Sequence, residues 1–168
     1  MKKILILFLA ITTIIFLTSC NNSIKFAVGY EGKGTFGFYA QGMGATNVEI
    51  VSSKDELIDL CEKYNNNFFN ENSENYNNEI PLKVRSYDDS FFESHSLVIC
   101  EISAGNHYSY KVNKIIKDED SLQIIIKEKR KIGTYTDIGF IYLFLLELEK
   151  EDVLNIKSDN LSVKEDIR

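Results

Sequence analysis

Apolar positions along the chain follow three rhythms, and each predicts a different element. From Ile4 to Leu17 only Thr12 and Thr13 interrupt an apolar run, which at about 14 residues is too short to cross a bilayer of about 30 Å as a helix. At Leu57, Ile58, Leu60, Cys61 and Tyr64 the spacing becomes helical. It follows Ser53-Lys54-Asp55-Glu56, a capping box in which serine and glutamate satisfy free amides at a helix start, so a helix over residues 53–65 is predicted. Tyr108, Tyr110 and Val112 alternate with polar residues as a half-buried strand does, and residues 122–129 follow as its hairpin partner beyond the acidic turn 117–121. Two near-continuous apolar runs, Leu97 to Ile102 and Phe140 to Leu148, predict short buried strands.

Other segments lack a simple rhythm. Residues 24–51 hold six of the nine glycines, set among Tyr30, Phe36, Phe38 and Tyr39, which predicts a glycine-rich β-hairpin and then a short strand at 48–51. Asparagine fills eight of the fourteen positions from Asn65 to Asn78. So polar a tract predicts a mobile loop, a plain linker weighed against a polar recognition role. Tyr87-Asp88-Asp89-Ser90-Phe91-Phe92-Glu93 predicts a capped single turn that buries two phenylalanines. Ser103 to Asn106 predicts a turn, a loop spans Gly133 to Asp137, and the charged segment 156–168 predicts a frayed tail. The sum is an α+β domain over residues 24–155: a mainly antiparallel, twisted sheet of six to eight strands with one principal helix packed on it.

Charge narrows the setting. With 19 basic and 25 acidic side chains the chain carries −6, and it has no basic run able to neutralise several phosphates, which argues against nucleic acid. Lys2 and Lys3, the short apolar run and the small residues after it are the three parts of a secretory signal. Leu17-Thr18-Ser19-Cys20 resembles the lipobox of bacterial lipoproteins, whose cysteine thiol receives a diacylglycerol before the signal is cut in front of it. The resemblance implies a signal peptide over 1–19, palmitate-type acylation at Cys20, a lipidated tether over 20–23, and an extracytoplasmic protein anchored to the cell membrane. Loss of Lys2 and Lys3 leaves 17 basic against 25 acidic residues, −8, which predicts repulsion from anionic lipid and a domain held off the surface. Of the remaining cysteines, Cys61 falls in a helical pattern and Cys100 in a strand-like one, which predicts two buried free thiols in place of a disulfide.

Candidate chemistry is sparse. Gly32, Gly34 and Gly37 match G-x-G-x-x-G, but that fingerprint works only where the turn opens a helix onto a pyrophosphate, and here more glycine follows. Cys61, Cys100, His95 and His107 show no metal-ligand spacing. Ser90, Ser94 and Ser96 lie near His95 without a strained elbow, and Asp88 with Asp89 reads as a cap. No catalytic residue, metal or cofactor follows. As contact candidates the glycine-rich stretch offers Phe36, Phe38, Tyr39 and Met43, because large aromatics and methionine are enriched where proteins meet partners; the opposing expectation is that all four pack beneath the helix.

Residues 87–93, then Leu97-Val98-Ile99 and Ser103-Ala104-Gly105, followed by a hairpin like that from Tyr108 to Ile126, resemble the core of the PrcB-like family of bacterial lipoproteins and secreted domains. Gly133-Thr134, Asp137 and the strand from Phe140 to Leu148 are similar to the tail of clostridial relatives. The asparagine insertion and Tyr135 depart from the pattern. The resemblance implies a non-enzymatic accessory protein that binds or stabilises another envelope protein, with a protease as the partner the family's namesake points to. A module for an extracellular small molecule or polymer is the alternative, ahead of an enzyme of unrecognised type. A deep pocket with converging polar groups would favour the ligand, and a flat apolar patch the protein partner.

Overall fold

The computed structural model describes residues 22–38, 45–105, 108–130, 133 and 139–166. The signal-like segment, Cys20, Tyr39, Met43 and His107 lie outside the described residues. Eight strands run in the order β1 (Ser23–Ile24), β2 (Ala27–Lys33), β3 (Thr46–Val51), β4 (His95–Gly105), β5 (Tyr108–Asp118), β6 (Ser121–Arg130), β7 (Gly139–Glu149) and β8 (Leu161–Asp166). Among the described residues four helices accompany them: α1 (Lys54–Lys63), α2 (Glu79–Arg85), α3 (Asp89–Ser94) and the single turn α4 (Lys150–Val153). The α+β character stands, but the strands form two four-stranded sheets. A central sheet has the order β2-β7-β4-β3, and an outer sheet the order β1-β5-β6-β8. Every pairing between these strands is antiparallel except β6 with β8.

The central sheet is covered on both faces, which explains its unbroken apolar strands. On β4, Val98, Cys100, Ile102 and Ala104 face the outer sheet, as do Phe144, Leu146 and Leu148 on β7; they meet Val112, Ile115, Ile124 and Ile126. Leu97 and Ile99, with Leu143 and Leu145, face the other way into a second core under the helices, where they meet Leu57, Leu60, Cys61, Val84 and Phe92. Period-2 geometry therefore sends adjacent apolar residues into two different cores. Each fully buried Leu, Ile or Phe there contributes about 1.5–3 kcal/mol from apolar burial.

Several expected elements are corrected. The glycine-rich segment forms no hairpin over its described residues, because Gly32 and Lys33 at the expected turn are strand, paired with β7, and residues 34–38 after them are not strand. Directly after β2, Gly34 N–H donates to the Ile141 carbonyl at 3.0 Å. The expected turn at Ser103 is strand, since β4 stays paired with β7 through Gly105. The expected frayed tail is β8, which adds to the outer sheet beside β6. Of the expected tether over 20–23, the described part is joined to β5: the Asn22 carbonyl accepts from Lys117 N–H at 2.8 Å, and Ser23 pairs with Ile116.

The helix expected over 53–65 is α1. Ser53 accepts from the Glu56 amide at 3.1 Å, and Glu56 reaches back to the Ser52 amide at 2.7 Å. The turn expected at 87–93 is α3, capped by Asp88 on the Phe91 amide at 3.0 Å. It buries Phe92 fully and Phe91 in part. Helix α2 was not expected. Pro81 sits in its first turn, where a missing N–H and a fixed φ are tolerated. Among the described residues no helix is long and apolar enough to cross a membrane.

Candidate ligand-binding cleft

The asparagine tract is a chain of hydrogen-bonded turns, against the mobile loop expected of it. Asn65 takes φ +55° just past α1, and the Asn65 and Asn66 amides return to the Glu62 and Cys61 carbonyls at 3.0 and 2.8 Å. That is a Schellman stop with asparagine in the left-handed position usually held by glycine. Successive i+3 turns follow at 67–70, 70–73, 73–76 and 75–78. Side chains stand in for backbone within them: Asn70 Oδ1 accepts from Asn72 N–H at 3.0 Å, and Asn75 Oδ1 from Asn78 Nδ2 at 2.9 Å. Arg85 locks the tract from outside, donating to the Phe68 carbonyl at 2.6 Å and lying 3.5 Å from the Tyr76 ring centre.

Opposite this wall stands the segment 35–38, held by a buried carboxylate. Glu101 is fully buried on the helix-facing side of β4. It accepts from the amides of Phe36, Gly37 (3.0 Å) and Phe38 (3.1 Å) and from the Thr35 hydroxyl (2.8 Å). Three successive amides aimed at one anion form a nest, and Gly37 supplies the positive φ of +91° that the curl needs. Phe36 and Phe38 are thereby drawn under the helices. Phe36 is 0% and Phe38 8% exposed, packed on Phe68 and Tyr64 respectively. These two contact candidates are core residues; Tyr39 and Met43 are outside the described residues.

Gly29 in β2 and Gly34 just after it serve close approach. A Cβ at Gly29, in the bulge of β2, would collide with Tyr87 Oη and Glu147 Oε1, and one at Gly34 with Ile80. Glu147 there accepts from Tyr87 Oη at 3.0 Å and Lys83 Nζ at 3.1 Å. Burial first, and then the Glu147 carboxylate, raises the Tyr87 hydroxyl above the usual tyrosine range, so it stays a donor. Helix α2 can consequently lie tight on β2.

Between α2, the asparagine turns and β2 opens a cleft of about 480 Å³. Asn66, Asn75 and Asn78 present amides to it, Tyr30 and Phe68 present rings, and Glu79 and Lys33 supply charge. Asn66 also donates to the Phe36 carbonyl, tying the two walls together. Burial first, and then Glu79, raises the Tyr30 hydroxyl, which stays protonated, donates to the Lys33 carbonyl at 3.2 Å and keeps its oxygen as an acceptor. The lining can therefore give and accept hydrogen bonds around a neutral polar group and cover one apolar face of it.

Other candidate chemistry does not converge. Among the described residues no group of three or more His, Cys, Asp and Glu could hold a metal ion. Ser94 Oγ lies 2.8 Å from His95 Nδ1, but His95 Nε2 is 3.7 Å from a half-exposed Glu149 carboxylate, beyond hydrogen-bond reach. Asp88 and Asp89 divide as cap and first-turn residue. Cys61 and Cys100 are free and buried, in cores on opposite faces of the central sheet. Burial pushes the Cys61 thiol up to about 12, and burial followed by the neighbouring Glu101 raises that of Cys100.

Sequence reasoning missed Glu101 and Phe68. An acid inside the apolar run from Leu97 to Ile102 must find donors, and Phe68-Phe69 inside an asparagine tract is an anchor; both signals are in the sequence. No protein-family model matches the chain, and neither a curated protein nor a solved structure matches it.

Proposed function

We propose that the protein is a lipid-anchored, extracytoplasmic binding protein whose cleft receives a stretch of neutral polymer rich in hydroxyls and amides, of the cell-wall glycan class. The observation that carries this is the convergence of three asparagine amides, the Tyr30 hydroxyl and the Phe68 ring on one open cleft with fixed walls. Amides match hydroxyl and acetamido groups as both donor and acceptor, and rings cover the C–H face of a sugar. Titration of the protein with N-acetylglucosamine oligomers, followed by calorimetry, tests it. Binding that weakens about tenfold in Asn75→Ala, with circular dichroism showing the fold retained, supports the reading. No binding, or equal binding by wild type and variant, overturns it.

An accessory role toward an envelope protein, a protease included, is the second reading. It draws on the PrcB-like resemblance and on exposed Leu82 of α2 and Val28 of β2, elements that pack together. Crosslinking in native membranes separates the two, since a protein adduct lost on Leu82→Ser belongs to the second reading alone.

A further inference from the structure

The −8 of the chain beyond Ser19 is spread unevenly. Residues 52–94, which build the helical layer, hold ten acids and four bases, a balance of −6. The outward face of the outer sheet is the opposite. Lys114 on β5, Ile125 on β6 and Lys164 on β8 lie side by side in register, and Lys111 pairs with Lys127 one step along. Lys111, Lys114, Lys127, Lys129 and Lys164 are all exposed. Among the described residues, Lys114, Lys127, Lys129 and Lys164 form no ion pair within 4.0 Å. Ile125 belongs to neither core yet is only 7% exposed, so neighbouring stems cover it, as the aliphatic parts of lysines do. Lys114, Ile116, Gln123, Ile125 and Lys164, with the acids Glu165 and Asp166, line one shallow depression of about 250 Å³, and Asp166 is in register with Lys127.

We propose that this lysine face lies directly on an anionic phospholipid surface, a proposal that rests on lipid anchoring at Cys20. The chain enters at the right place. Ser23 pairs with Ile116 on the same sheet, and Asn22 is already hydrogen-bonded to β5. Only Asn21 separates Asn22 from Cys20, two residue steps with a reach of about 7 Å. Strands about 4.8 Å apart put β8 about 14 Å from β1, so an anchored chain cannot hold the face far from the headgroups. Net charge does not oppose this contact. Stacked sheets are about 10 Å apart, and the Debye length at physiological salt is about 8 Å, so headgroups sense the lysines while the acidic helical layer is screened. The lysines meet the interface over a covered Ile125, and the cleft on the far side stays open to the wall.

The test uses the full protein with its own anchor, reconstituted into vesicles of phosphatidylcholine alone or with about one third phosphatidylglycerol. Amines are then acetylated with a membrane-impermeant reagent and located by mass spectrometry. Lys114, Lys127 and Lys164 are expected to label about fivefold more slowly on anionic vesicles, and to recover at high salt, while Lys54 and Lys63 do not change. Equal labelling on both vesicles, in protein whose Cys20 carries its diacylglycerol by mass, overturns the face and leaves the anchor standing. An unmodified Cys20 in protein that washes off the vesicles overturns both. Protection on neutral vesicles too would show simple proximity and overturn the phospholipid charge recognition.

Discussion

The outer sheet and the helical layer press on opposite faces of the same central sheet, and they are built by different means. The outer sheet joins through period-2 packing: Ile115, Ile124 and Ile126 meet Phe144 and Leu146, with no polar bridge needed. The helical layer is held by polar clasps set into an apolar core: Glu101 in its amide nest, Glu147 between Lys83 and Tyr87, Asn66 on the Phe36 carbonyl, and Arg85 on Phe68. Apolar contact is tolerant of small shifts, whereas a buried carboxylate is not, because each lost donor leaves a charge unsatisfied. The helical layer should therefore be the more precisely positioned region and the one that opens in a separate step, and it is the region that bears the cleft.

Cys61 in the helical layer and Cys100 in the inter-sheet core are reporters of that difference, since each becomes alkylated only when its own core opens. Phe144→Ala has the largest expected effect, a loss of about 4 kcal/mol, and should speed alkylation of both thiols together, since the whole chain opens. Glu101→Ala strands three amides and costs about 2–3 kcal/mol. It should speed Cys61 far more than Cys100, with hydrogen exchange rising at 36–38; equal acceleration of both thiols would show the two layers to be one cooperative unit. Ser53→Ala removes one cap, costs about 1 kcal/mol and should speed Cys61 about fivefold with Cys100 unchanged. Should Ser53→Ala leave Cys61 unaffected, α1 does not gate that core.

Elements whose information is local were legible. The α1 cap, the Asp88 cap and the β5–β6 hairpin follow from neighbouring residues, and the apolar runs on β4 and β7 came out as strands, though longer than expected. What the pattern could not assign was partnership. A strand buried on both faces reads the same whether its second cover is a sheet or a helix, so Leu97 to Ile102 gave no hint that alternate residues enter different cores. The β2–β7 and β6–β8 pairs join distant segments, and nothing local marks them. Within the cleft, polarity of the asparagine tract was visible while its order was not, because that order comes from amides acting as backbone. Glycine density around β2 was visible as well; its cause at Gly29, the Tyr87–Glu147 pair lying against it, joins the segment after α2 to β7, a contact between distant residues that nothing local marks.

The parallel strand β8 also has a protective consequence. Without it, Leu122 to Ile126 would present a bare row of N–H and C=O groups on a segment with three consecutive isoleucines, the composition that recruits other chains into shared sheets. β8 occupies that row along its full length and replaces it with an edge bearing Lys164, Glu165 and Asp166, whose charges repel a further strand. A chain cut short before residue 161 would keep both cores largely intact yet expose a template for aggregation, so its failure would show as lost solubility before it showed as lost structure.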